Sequence, residues 1–297
     1  MNGMQTQIET LNGNPFFVRR WGDAHLPKIL MLHGFPEYWA GWASVASQMT
    51  ETHRVVMPDQ RGYNLSSKPQ AVDAYAVKLL VADMLDLVQQ ISPDRPVVLC
   101  GHDWGASVAY AFAIHHPERV SRLVVANGVH PMCFQKALLN DEAQAAASQY
   151  IHLLRAEHSE DHLAADGFRK LLGMLEKFSD AQWLDDDTRQ AYRNAWNDSK
   201  TVSCMVNWYR ASPLIVPRSG EPPQPFEITR EMTEKFRINM PHLLLWGRRD
   251  TALLPQSHAD LDRFCDRLTV QMTEDAGHWI LHEKPQWVAD QIRTFLS

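Results

Sequence analysis

Four short, unbroken apolar runs constrain this chain more than any other feature. They are Ile29-Leu30-Met31-Leu32, Val55-Val56-Met57 within Arg54–Asp59, Val97-Val98-Leu99-Cys100 and Leu123-Val124-Val125-Ala126. A strand with one wet face alternates apolar and polar residues. A run without alternation belongs to a strand covered on both faces, the usual state of a parallel sheet between two helix layers. Helical stretches lie between the runs. In one, Val77, Leu80, Val81, Met84, Val88 and Ile91 share a stripe, with Asp83 and Asp86 off it. In another, the small residues Gly105, Ala106, Ala109 and Ala113 follow Cys100, and His116-Pro117 ends the helix. Such alternation implies βαβ units. The expected class is α/β, a mostly parallel central sheet flanked by helices. An opening hairpin should turn at Asn12-Gly13-Asn14, before Phe16-Phe17-Val18.

Past Pro131 the pattern changes. No strand-like run recurs until His242-Leu243-Leu244-Leu245-Trp246, and the stretch between is helical and rich in Trp and Tyr. It ends in a proline-dense segment at Pro213, Pro217, Pro222, Pro223 and Pro225. This reads as a helical cap inserted in the sheet domain, with the prolines forming the returning strap. Leu268-Thr269-Val270-Gln271-Met272 and a helix from about Pro285 to Leu296 complete the chain. The expected organisation is core over 1–131, cap over 132–225 and core again over 226–297.

The formal charge of -6 is spread along the sequence, which argues against nucleic acid or an anionic membrane as partner. Cys100, Cys133, Cys204 and Cys265 show neither CxxC nor zinc spacing and read as reduced core thiols. Met1–Thr10 lacks a basic region followed by an apolar stretch, and no apolar run has the length of a bilayer. A cytoplasmic location is expected; the oligomeric state is not legible. His158-Ser159-Glu160-Asp161-His162 lacks the arrangement of a helical zinc site and reads as a solvated charged stretch, and Asp185-Asp186-Asp187 as a helix start or exposed loop. No metal is expected.

Gly101-His102-Asp103-Trp104-Gly105 sits where an apolar strand turns into a helix. A G-x-nucleophile-x-G pentapeptide suits that place, because the turn is too tight for side chains at the flanking positions and lifts the central one above the sheet. Taken alone, the pentapeptide also fits a glycine-rich loop with a capping Asp. Its partners add weight. A nucleophile elbow is followed in chain order by an acid and a histidine, at the carboxyl ends of later strands. Asp250 follows the strand at Leu243–Trp246, and His278 follows the strand at Leu268–Met272. The other slot for the acid, after Leu123–Ala126, holds Asn127. The loop His33-Gly34-Phe35-Pro36 stands where a backbone N–H completes an oxyanion hole, so the expected donors are the amides of Phe35 and Trp104.

His33-Gly34-Phe35-Pro36-Glu37, Asp59-Gln60-Arg61-Gly62-Tyr63, Gly101 through Ala106, Asn207-Trp208-Tyr209-Arg210, Trp246 through Asp250 and Gly277-His278-Trp279 run through essentially the whole chain. The sequence resembles the epoxide hydrolase branch of the α/β-hydrolases, a group that also holds haloalkane and fluoroacetate dehalogenases. The resemblance implies the α/β-hydrolase fold with an inserted helical cap, no cofactor, and small apolar epoxides and water as the reacting partners. The chemistry is consistent. A carboxylate with a reference pKa of about 4 is ionised at neutral pH and can attack a saturated carbon unaided. Asp103 would form an alkyl ester, His278 would activate the water that cleaves it, and Asp250 would orient the histidine.

The leaving group is the cap's choice. An epoxide leaves as an alkoxide that needs an acid, and the resemblance assigns that role to two cap tyrosines, Tyr209 and Tyr150. Where the family has Phe-Gln shortly after the first tyrosine, this chain has Leu154-Arg155, and packing of an aromatic cap helix is the other reading of Tyr150. Pro36, Trp183 and Trp208 are expected to line the substrate pocket, while Asp59 and Arg61 read as structural. A dehalogenase using the same aspartate remains as an alternative. However, the positions at which fluoroacetate dehalogenases carry arginine hold Trp104 and Ser107. A non-catalytic ligand-binding module of the same fold is the second alternative.

Overall fold

In the computed structural model, which describes residues 3–178, 181–222 and 224–297, the apolar runs become the centre of one eight-stranded sheet. Pro223 of the expected strap lies outside the described residues. The strands are β1 (Gln5–Leu11), β2 (Asn14–Trp21), β3 (Lys28–Leu32), β4 (Arg54–Pro58), β5 (Val97–His102), β6 (Val120–Ala126), β7 (His242–Gly247) and β8 (Leu268–Thr273). Their spatial order is β1-β2-β4-β3-β5-β6-β7-β8. Strand β2 pairs antiparallel with β1 and β4, and every pair from β4 to β8 is parallel. The hairpin turns at Asn12 and Gly13, at φ 47° and 78°, as a two-residue turn between twisted strands requires.

Helices α1 (Ala43–Ala46), α2 (Val77–Ile91) and α3 (Trp104–His115) connect the first strands. Between β6 and β7 come α4 (Pro131–Asn140), α5 (Glu142–Ala147), α6 (Tyr150–Arg155), α7 (Ser159–Lys177), α8 (Asp186–Trp196), α9 (Ser199–Ala211) and α10 (Arg230–Lys235). After β8 follow α11 (Ile280–Glu283) and α12 (Pro285–Leu296). Several starts are fixed by short polar side chains: Asp141, Asp185, Asp198 and Thr229 each accept a backbone N–H three residues on. We call the helices α4 to α9 the insert.

The unbroken runs have a direct explanation. Along β3, Ile29 and Met31 enter one core while Leu30 and Leu32 enter the other, and β4 to β7 divide their residues the same way. One core is closed by α1, α11 and α12; the other by α2, α3 and the insert. Helix α2 departs from expectation. Leu80, Val81, Met84, Leu87 and Val88 are buried, Val77 is 42% exposed, and Asp83, expected on the solvent side, is 1% exposed. The cause is Arg61, whose Nε and Nη2 donate to the two Asp83 oxygens at 2.8 and 2.7 Å. Burying a charged group this deep is costly unless it is paired and hydrogen-bonded. All four cysteines are buried and unpaired by disulfide. Among the described residues no helix is long and apolar enough to cross a membrane.

Candidate active site

Asp103 is the residue between β5 and α3, at φ 49° and ψ −119°, a conformation that costs a non-glycine residue on the order of 1–3 kcal/mol. Its surroundings leave no room for relaxation. A Cβ on Gly105 would lie 2.1 Å from the Leu32 carbonyl oxygen, and one on Gly101 would lie 2.6 Å from that of Gly105. The turn therefore presents the carboxylate at the sheet's carboxyl edge. One oxygen, Oδ1, accepts the Phe35 N–H at 2.7 Å. Gly34 permits this approach, since a Cβ there would lie 2.4 Å from the Cβ of Asp103. Trp104 is the first residue of α3, so its N–H has no partner within the helix.

The other oxygen, Oδ2, lies 3.7 Å from His278 Nε2. His278 Nδ1 is 2.8 Å from Asp250 Oδ2, which fixes the imidazole with Nε2 toward Asp103. Asp250 is itself held by the Ala252 and Leu253 amides at 2.8 and 2.9 Å and by Asn127 Nδ2 at 2.8 Å. Burial pushes the Asp250 carboxyl up, but His278 and these donors outweigh it and hold the group below the usual carboxylate range. Burial likewise pulls His278 down, yet the Asp250 charge and its contact with Asp103 raise it to about 10.

The insert closes the site. Asp103, Trp104, Ser107, Phe134, Tyr150 and Tyr209 are among the residues around a cavity of about 40 Å³. The rings of Tyr150 and Tyr209 meet edge to face, with centroids 6.3 Å apart. Burial, with the Asp103 carboxylate nearby, raises both phenols above their ordinary range and keeps them neutral. The Trp104 and Tyr209 rings meet edge to face, with centroids 4.9 Å apart. An apolar cleft of about 300 Å³ shares Trp104, Ser107, Val129, Phe134 and Leu214 with the small cavity. Phe178, at the end of α7, accepts the His278 N–H at 3.0 Å through its carbonyl.

The expected pocket residues separate. Trp208 borders the apolar cleft and donates its indole N–H to the Arg61 carbonyl at 2.9 Å. Pro36 accepts the Trp196 indole N–H at 2.6 Å. Trp183 does not border the Asp103 cavity: it stacks on His282 at 4.0 Å and 9°. His282 in turn meets Glu37, buried and held well below the carboxylate range. Burial opposes that state, but hydrogen bonds from His102 and His282 outweigh it. Glu37 takes His282 Nε2 at 2.6 Å, Tyr192 OH at 3.1 Å and His102 Nδ1 at 3.0 Å. His102 Nε2 in turn meets the His278 carbonyl at 2.9 Å.

Sequence reasoning passed over two groups. Asn127 was legible only as a slot without an acid, and Glu37 only as the end of the His33–Glu37 stretch. The residues to find both were present, but their partners lie far away along the chain. Among the described residues no group of three or more His, Cys, Asp or Glu side chains is placed to hold a metal.

The family described as alpha/beta hydrolase fold matches residues 27–285. The "AB hydrolase superfamily protein YfhM" of Bacillus subtilis is 31% identical, over 100% of this chain and 99% of that protein. A structure described under novel epoxide hydrolases of the α/β-hydrolase superfamily, from metagenomes of hot environments, superposes with a TM-score of 0.88. It is 30% identical and covers 100% of this chain and 99% of its own. The Bacillus megaterium epoxide hydrolase in complex with an inhibitor gives a TM-score of 0.85 at 28% identity, covering 98% and 99% of the two chains.

Proposed function

The chain belongs to the alpha/beta hydrolase family, and from that premise and the geometry of its site we propose that it is a cofactor-independent epoxide hydrolase, converting small apolar epoxides to vicinal diols. The observation that carries this reading is the pairing, across one small cavity, of a carboxylate on a nucleophile elbow with two neutral phenols. A carboxylate can open a strained ring; the phenols can protonate the oxygen that remains attached.

The steps follow from the contacts. Oδ1 of Asp103 is held by Phe35, so Oδ2 attacks a ring carbon in line with the breaking C–O bond. The ring oxygen takes a proton from Tyr209 or Tyr150, leaving a hydroxyalkyl ester on Asp103 and a tyrosinate. Esterification removes the Asp103 charge, one of the causes that hold a proton on His278. The imidazolium can thus pass its proton to the tyrosinate, which restores the phenol and leaves a neutral imidazole as the base. His278 Nε2 then takes a proton from water, whose oxygen attacks the carboxyl carbon of the ester. The amides of Phe35 and Trp104 stabilise the resulting oxyanion. Collapse releases the diol and the Asp103 carboxylate, and the proton taken from water leaves His278 protonated as it began. Epoxide and water give diol, with nothing left over. The small cavity suits little more than the ring, so the apolar substituent would extend into the 300 Å³ cleft.

Intact mass spectrometry of a His278→Gln variant tests the proposal. With styrene oxide, a gain equal to the whole epoxide is expected, and none when Asp103→Asn is added. A gain only with a 1-haloalkane, equal to the alkyl group without halogen, would replace the reading with a dehalogenase.

A further inference from the structure

The loop that carries the Phe35 amide is irregular over residues 33–37, so no strand ladder fixes the direction of that N–H. The structure ties the loop down from the insert instead. Tyr192 and Trp196 stand four residues apart on one face of α8. The Trp196 indole N–H donates to the Pro36 carbonyl at 2.6 Å, and the Tyr192 hydroxyl donates to Glu37 at 3.1 Å. Both acceptors are within two residues of Phe35. Both rings are buried, at 1% and 2% exposure, so neither bond is shared with solvent. Pro36 has no N–H, which leaves its carbonyl as the one backbone handle at that residue.

We propose that Trp196 and Tyr192 are positioning residues for the oxyanion hole: helix α8 of the insert, through Pro36 and Glu37, aims the Phe35 amide at Asp103. For its kinetic consequence the inference rests on the ester route above. The two steps use the amide differently. During ring opening, charge leaves the Asp103 carboxylate, so a donor to Oδ1 gives the transition state no advantage over the ground state. During ester hydrolysis, charge builds on the carboxyl oxygen, and a well-aimed donor is worth about 10²–10³ in rate. Loss of aim therefore slows the second step selectively.

The variants Trp196→Phe and Tyr192→Phe keep a ring and remove a donor; two are made so that a failure of one to fold leaves the other. Single-turnover kinetics with styrene oxide should show ring opening within about threefold of wild type, ester hydrolysis slowed about tenfold or more, and ester accumulating in the intact mass. Amide exchange of Phe35, followed by NMR on the free protein, should accelerate about tenfold or more in both. Unchanged Phe35 exchange, or an equal fall in both chemical steps, would overturn the proposal. If no ester forms on His278→Gln while Phe35 exchange still accelerates, the epoxide reading fails and the positioning role of α8 stands.

Discussion

Asp250 carries more hydrogen bonds than the orientation of one imidazole requires. Its oxygens accept from His278, Asn127 and two backbone amides, all away from water. The group is therefore fixed as an anion that cannot turn, and the proton on His278 Nδ1 is fixed with it. Asp250→Asn would point an amide N–H₂ at some of these donors and release the imidazole from its tautomer. In a comparable serine-enzyme triad that change costs about 10⁴ in turnover. Here we expect ester hydrolysis to fall by about 10³–10⁴ while ring opening falls by less than about tenfold, measured by single turnover. Equal losses in both steps would contradict the division of labour between Asp103 and His278. Little of this support was legible residue by residue. Asn127 lacks the charge that a search for an acid looks for, yet its Nδ2 binds the acid and its Oδ1 takes the Gly247 N–H at 2.8 Å. Trp183 shows the same limit: its partner His282 lies about a hundred residues away, and an aromatic side chain looks the same in sequence whether it lines a cavity or stacks on a histidine.

At the scale of elements, the strands were readable because burial on both faces leaves an unmistakable run, and the glycines of the elbow because contacts of 2.1 and 2.6 Å forbid anything larger. Helix α2 was read less well. Periodicity assigned Asp83 to water; a cation from the loop after β4 drew it inside. This pair joins two elements that the sheet alone does not connect. Asp83→Ala should destabilise the fold by about 3–5 kcal/mol in chemical denaturation, because it leaves a buried guanidinium without its anion. Replacing both partners, Arg61→Met with Asp83→Leu, should cost markedly less. If the single change cost no more than the double, the pair would be no tie between the elements.

Among the described residues burial favours the neutral form of several histidines: His33 and His242 are lowered to about 4 and His130 to about 3, and His53 and His258 are lowered as well. Each lies below its unfolded value of about 6.5, so the stability linked to its neutral form is complete above that pH. It drains away as the pH falls from about 6.5 toward 4. Asp59, raised by burial to about 7, works in the opposite sense over the same range, but the lowered histidines outnumber it. The midpoint of urea unfolding should therefore drop between pH 7 and pH 4.5; a flat profile would contradict the buried neutral histidines.

Asp103, Asn127, Asp250 and His278 follow four neighbouring strands, β5, β6, β7 and β8, in that order across the sheet. Adjacent strands stand about 4.8 Å apart, and that pitch is set by backbone hydrogen bonds which no side chain can stretch. The reacting groups thus sit on a ruler whose divisions are common to every sheet. A substitution can change what stands at a division but not the interval between divisions. Evolution of activity on such a frame has one free variable, the roof, and the seat of α8 on the Phe35 loop is where roof and ruler meet.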